Sequence, residues 1–172
     1  MRLAIGTLIT ALALTACTAP RRPDGSSGLL HVGDQAPEVV GSLGGKPISL
    51  SSKRGSAAIV YFYPKDETPG CTKEACGFRD AFKKFEDAHV TLFGVSRDSE
   101  ESHRAFAMNH QLPFPLVADE DGKIASAYGV PSTFGMTSRV TFVVGADGKI
   151  LRVFEHVDPD KHPDEVLSAI PR

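Results

Sequence analysis

The chain has 172 residues, of which 41% are hydrophobic and 23% charged, with a formal net charge of −2. That length allows one domain with its own core and is too short to expect two. The near balance of charge offers no basic footprint for nucleic acid.

The N-terminus differs in kind from the rest. Arg2 precedes an apolar run over residues 3–14, about as long as the core of an export signal and too short to span a bilayer comfortably. The run closes on Leu14-Thr15-Ala16-Cys17, which looks like a bacterial lipobox. Residues 1–16 are therefore expected to be a lipoprotein signal peptide and Cys17 a lipidated mature N-terminus. This makes an exported protein anchored to a membrane and facing the periplasm; a soluble periplasmic form is the alternative. Cysteine arithmetic agrees: lipid accounts for Cys17 and leaves Cys71 and Cys76 as a couple. Residues 17–28, rich in Pro, Gly and Ser, read as a flexible tether, and residues 29–172 as the folded domain.

Gly44-Gly45 reads as a hairpin turn between strands over residues 37–43 and 46–50. Residues 57–63 form an apolar run typical of a buried strand, which Pro64 ends. Pro69-Gly70 then turns the chain into a helix over residues 72–88, whose Ala75, Phe78, Phe82, Phe85 and Ala88 make an apolar stripe. Cys71 thus stands at a helix start, where unpaired backbone N–H groups and the helix dipole favour a thiolate. Thr68, three positions earlier, brings a hydroxyl within reach of the sulfur or of a substrate oxygen.

Cys76 follows five positions later. On an intact helix that step rises about 7.5 Å and turns about 140°, which puts the Cα atoms about 8.6 Å apart. A disulfide needs less than about 7 Å. The pair can bond only if the helix start unwinds, as in a working redox couple, and Gly77 is expected to weaken the helix there by about 1 kcal/mol relative to alanine.

Residues 90–95 read as the next buried strand, Asp98 or Ser99 as the cap of a helix running to His110, and residues 114–118 as a further strand. A short helix over residues 123–128 leads to a loop at Gly129-Val130-Pro131. Strands over residues 139–144 and 149–157 are joined at Asp147-Gly148, a hairpin signal. A helix beginning near Pro163 closes the chain, with Val166, Leu167 and Ile170 on one side. Alternation plus a hairpin predicts an α/β fold with a central mixed sheet flanked by helices.

Phe62-Tyr63-Pro64-Lys65-Asp66-Glu67-Thr68-Pro69-Gly70-Cys71-Thr72, with Cys76 following, resembles the signature of the peroxiredoxins, most closely the bacterioferritin comigratory protein subgroup. A weaker likeness runs over residues 30–170. The resemblance implies a thioredoxin-like fold and a thiol peroxidase acting on hydrogen peroxide and organic hydroperoxides without cofactor or metal. It implies that Cys71 is oxidised to a sulfenic acid and resolved by Cys76 into an intramolecular disulfide. By the same resemblance Arg139 lies beside the sulfur, Thr68 and the Cys71 amide orient the peroxide, and Pro64 shields the site from water. The implied reductant is a thioredoxin-like donor, which for an exported protein must itself be exported, and the expected state is a monomer.

Two other readings use the same fold. A thiol–disulfide exchange protein usually places its cysteines two residues apart, and resemblance would ask for proline where Val140 stands. A membrane-anchored copper-binding protein would add a distant histidine such as His156 to the two cysteines, but its cysteine spacing is narrower and it leaves Thr68 and Arg139 without a role.

Overall fold

β3 (Ala58–Phe62) is buried at every position, and the domain is layered on it. It lies parallel to β4 (Thr91–Ser96) on one side and antiparallel to β8 (Val140–Val144) on the other. A strand covered on both faces reads as an unbroken apolar run, the pattern of residues 57–63. The computed structural model describes residues 22–170. The residues read as a signal peptide and lipobox, with Cys17, lie outside the described residues.

β1 (Val40–Leu43) and β2 (Lys46–Ser49) form the expected hairpin, β5 is Leu116–Ala118, and β9 is Ile150–Phe154. The seven-stranded sheet runs β2-β1-β5-β4-β3-β8-β9. It is mixed, because β5, β4 and β3 are parallel while β1, β8 and β9 pair antiparallel. Helices are α1 (Pro69–Asp80), α2 (Phe82–Asp87), α3 (Glu100–His110), α4 (Lys123–Tyr128) and α5 (His162–Ser168).

Successive β3 residues point to opposite faces. Val60 and Phe62 enter a core with Phe93, Val117, Tyr128 and Phe142. Ile59 and Tyr61 enter another with Cys71, Phe78, Phe85, Phe106 and Val166. Burial of one aromatic side chain in such a core contributes about 1.5–3 kcal/mol, so these two clusters hold the sheet and its helices together.

The structure differs from the expectations at four places. The helix expected over residues 72–88 is two helices meeting at Ala81, which lets Phe82 pack against Phe114, centroids 6.1 Å apart, and Phe85 against Phe78 at 5.9 Å. It also starts earlier, with Pro69 in the first turn where its missing N–H costs nothing. Cys71 is consequently the third helical residue. A small hairpin that the sequence pattern did not announce, β6 (Ser132–Thr133) with β7 (Met136–Thr137), precedes β8 and carries the exposed Phe134 at its tip.

Gly77 supplies the fourth difference. A Cβ there would lie 2.8 Å from Cγ of Pro163, so glycine lets α5 pack directly on α1. Its place in the helix is explained by that close approach. At the N-terminal end, residues 22–28 fold into a turn in which the Arg22 amide donates to the Ser26 carbonyl, 2.7 Å. Gly129, at φ 70°, is required opposite this stretch, since a Cβ would meet the Gly28 carbonyl oxygen at 1.8 Å.

Candidate active site

The loop between β3 and α1 is held by a buried carboxylate. Tyr63 donates its hydroxyl to Asp66 Oδ1 at 2.7 Å, and Ser102 donates to Oδ2 at 2.7 Å. His103 Nδ1 lies 2.9 Å from the same Oδ2, while its Nε2 lies 3.1 Å from the Val117 carbonyl and must donate, since a carbonyl only accepts. Burial pushes Asp66 up, but its bonds from His103, Ser102 and Tyr63 outweigh burial and hold it below its usual value. The loop amide is tied too, Asp66 donating to Asp98 Oδ2 at 2.9 Å. Pro64 and Thr68 are thereby placed on a fixed support.

Cys71 sits 2% exposed in the first turn of α1. Arg139, immediately before β8, donates from Nη2 to its sulfur at 3.3 Å. The other terminal nitrogen of that guanidinium, Nη1, donates to Glu74 Oε2. Glu74 is three residues after Cys71, on the same helix face, and fully buried. Its burial pushes the carboxyl up to about 7 against the pull of Arg139. Arg139 itself is lowered by burial, an effect that the charges of Glu74 and Cys71 outweigh, so it stays a cation. A fixed cation thus donates to one buried sulfur in the first turn of a helix.

Behind this pair stands His162 of α5, whose Nε2 lies 2.8 Å from Thr141 Oγ1 and 4.0 Å from Glu74 Oε1. Burial, then the Arg139 charge, pushes the imidazole down to about 4, so it is neutral at neutral pH.

Of the residues read from the sequence, Cys71 and Arg139 are in contact. Thr68 caps the helix through its backbone, its carbonyl accepting from the Thr72 amide at 2.8 Å, while its hydroxyl donates to the Lys65 carbonyl at 3.0 Å rather than to the sulfur. Pro64 is half-buried directly after Tyr63. Cys76 is on the same unbroken helix as Cys71, half-buried, and both thiols are free. His156 is exposed, and among the described residues no three His, Cys, Asp or Glu side chains converge as metal ligands.

The sequence profile of the AhpC/TSA family matches residues 32–153. This chain belongs to that family and is a peroxiredoxin. It is similar to the chloroplastic peroxiredoxin Q of Sedum lineare, 47% identical over 129 residues that make 73% of this chain and 69% of that one. With peroxiredoxin Q of Populus jackii it shares 45% over 73% of this chain, which spans 61% of that protein. Among solved structures, peroxidoxin BcpB of Mycobacterium tuberculosis superposes with a TM-score of 0.73 at 33% identity, covering 80% of this chain and 94% of that one. The bacterioferritin comigratory protein of Xanthomonas campestris gives 0.70 at 34%, covering 77% and 88%. The thioredoxin-like fold and the peroxiredoxin family are those the motif implied, the bacterioferritin comigratory protein subgroup stands among the structural relatives, and the family is one of thiol-dependent peroxidases. Neither the copper-binding nor the exchange reading stands beside that membership, and a guanidinium next to the sulfur would repel a metal cation.

In this peroxiredoxin, Glu74 and His162 are the site residues that the sequence reading missed. Glu74 had a signal: positions 71, 74, 75 and 78 form one helix face, and a carboxylate on an otherwise apolar face needs a buried partner. His162, beside Pro163 at a helix start, had none.

Two variants test the pair. Glu74→Ala leaves the guanidinium without its carboxylate and is expected to cost roughly 3 kcal/mol of stability, whereas Glu74→Gln keeps an acceptor and costs less. Because folding raises the Glu74 pKa, the folded chain binds more protons between the ordinary carboxylate value and about 7, and this stabilising contribution is lost as pH rises through that window. Urea unfolding from pH 5 to 8 should therefore show the wild type losing ground to Glu74→Gln as pH rises. Parallel curves for the two proteins would mean that Glu74 does not titrate there.

Proposed function

We propose that this peroxiredoxin reduces hydrogen peroxide and organic hydroperoxides through a Cys71 sulfenic acid, resolved by Cys76 into an intramolecular disulfide. The contact between Arg139 and Cys71, 3.3 Å, carries this reading. Attack of the Cys71 thiolate on the near peroxide oxygen breaks the O–O bond, leaves one oxygen on sulfur, and releases water or an alcohol once the departing oxygen takes a proton. Arg139 supplies donors to those oxygens from a fixed fork. Thr68 serves by turning its hydroxyl from Lys65 to the bound peroxide, and Pro64 limits water. The solved Xanthomonas campestris relative is described by its alkyl peroxide reduction activity, which supports the organic hydroperoxides as substrates.

Resolution joins Cys71 to Cys76 and expels the sulfenic oxygen as water. A thioredoxin-like dithiol then reduces the disulfide and is itself oxidised. With the two Cα atoms about 8.6 Å apart on a continuous helix, the start of α1 must open first. Cys71→Ser is expected to abolish peroxide consumption, and Cys76→Ser to permit one oxidation and then stall. Amide exchange over residues 72–77 should be faster in the oxidised than in the reduced protein. Full turnover by Cys71→Ser, or equal protection in both redox states, refutes the scheme.

The same reading holds residues 1–16 to be an export signal and Cys17 a lipid-bearing N-terminus, with residues after it as tether, so that a monomer faces the periplasm and meets an exported reductant. Leu14-Thr15-Ala16-Cys17 supports it. Expressed in a bacterium, the protein should partition into detergent and carry an acyl mass, both lost in Cys17→Ser. Release of a wild-type form without lipid, cleaved elsewhere, refutes the anchor.

A further inference from the structure

A second thiol environment lies beyond the reach of Arg139. The Cys76 sulfur is 4.0 Å from Nδ1 of His110, the last residue of α3. The other ring nitrogen, Nε2, lies 2.8 Å from Oε2 of Glu67, and Asn109 donates to Oε1 of that carboxylate at 3.0 Å. Arg79 of α1 donates from Nη1 to the His110 carbonyl at 2.9 Å, and the Phe106 ring packs edge-on, centroids 5.0 Å apart. Glu67 adopts φ 58°, a conformation that residues other than glycine seldom take and that persists where surrounding bonds enforce it. The imidazole is held between the loop ahead of α1 and α1 itself.

Its partners decide its tautomer. The bonds from His110 and Asn109 hold Glu67 below its usual carboxylate value, so at neutral pH it is ionised and only accepts. Nε2 must then carry a hydrogen, which in the neutral ring leaves a lone pair on Nδ1, facing the thiol. A thiol opposite an imidazole lone pair, with a carboxylate behind the ring, is the general arrangement for activating a cysteine nucleophile. Building on the resolution step proposed above, we infer that His110 is the general base of that step and acts on Cys76, with Glu67 as the positioning residue that fixes the ring.

The S–H bond of Cys76 breaks and its proton moves to His110 Nδ1. The Cys76 sulfur attacks the Cys71 sulfur, forming the S–S bond and breaking the S–O bond of the sulfenic acid. The oxygen leaves with its electron pair and regains a proton to become water, and His110 returns to its neutral form. Cys76 is oxidised and the sulfenic sulfur reduced, so no further oxidant is needed. Contact at 4.0 Å in the resting helix suits a base that takes the proton before Cys76 swings toward Cys71.

The test mixes the reduced full chain with one equivalent of hydrogen peroxide, traps Cys71 sulfenic acid with dimedone, and follows the disulfide by non-reducing intact mass. His110→Gln keeps a donor toward Glu67 but has no base. Sulfenic acid is expected to appear at the wild-type rate, while disulfide formation slows by about 10²-fold or more. The second rate should rise more steeply with pH in the variant than in the wild type, because without a base only Cys76 that is already a thiolate can attack, although Glu67, Cys76 and Arg79, the other charged or titratable groups around the ring, all remain. In His110→Ala, added imidazole should restore part of the rate, which it would not do for a folding defect. Wild-type disulfide rates and pH profile in both variants overturn the inference. A wild-type protein that forms no Cys71–Cys76 disulfide overturns the resolution step itself, so the two failures are told apart.

Discussion

One half-buried guanidinium organises this molecule. Arg139 is tied on one side to Glu74 and on the other to the Cys71 sulfur; the carboxylate and the sulfur are withdrawn from water and the guanidinium is partly so. A charge in such a place is tolerated only when paired, and removing one partner of a buried pair costs several kcal/mol. Glu74 meets that requirement from within the helix that presents Cys71, so the ion pair also fixes how α1 sits against the start of β8. Structure and chemistry depend on the same contact: the cation that needs Glu74 for burial is the one that faces the sulfur.

The helix carrying both thiols faces opposing demands. It holds Cys71 in its first turn beside Arg139, and the proposed resolution by Cys76 requires that turn to be released. Its anchors are unevenly placed. Phe78 is buried in the core, and Gly77 lies against Pro163 of α5, so the second half is pinned. The first turn is held by the Thr72–Thr68 bond and the polar contacts around Cys71. Opening that turn has to withdraw Cys71, Glu74 and Ala75 from buried positions, so the unwinding carries a packing cost as well as broken backbone bonds. The pinning of Gly77 places any unwinding ahead of it.

Much of this was legible in the sequence, for identifiable reasons. β3, β4 and β8 are buried on both faces and so read as apolar runs, and Pro69-Gly70 marks the turn that delivers Cys71. Arg139 was reached only through resemblance, because an arginine at a strand start has no local signal of what it faces. Glu74 looks like a solvent-facing charge in a helix that also holds Lys73 and Arg79, and only its position on the buried face betrays it. The break at Ala81, the fit of Gly77 to Pro163 and the β6–β7 hairpin are decided by tertiary packing, which local propensity does not record. His110 and Glu67 are 43 residues apart, and no spacing rule brings them to Cys76.

The claim on which all of this rests is that the guanidinium acts on the reacting sulfur and the peroxide, beyond its part in packing. The direct measurement is the stopped-flow rate of Cys71 oxidation by hydrogen peroxide in the wild type, Arg139→Lys and Arg139→Ala, each confirmed folded by circular dichroism. Loss of fixed donors at a developing charge costs about 10²–10³-fold, and that loss is expected for Arg139→Ala. Arg139→Lys, which keeps charge without the fork, should fall between. A folded Arg139→Ala protein whose Cys71 is oxidised within threefold of the wild-type rate would contradict the account.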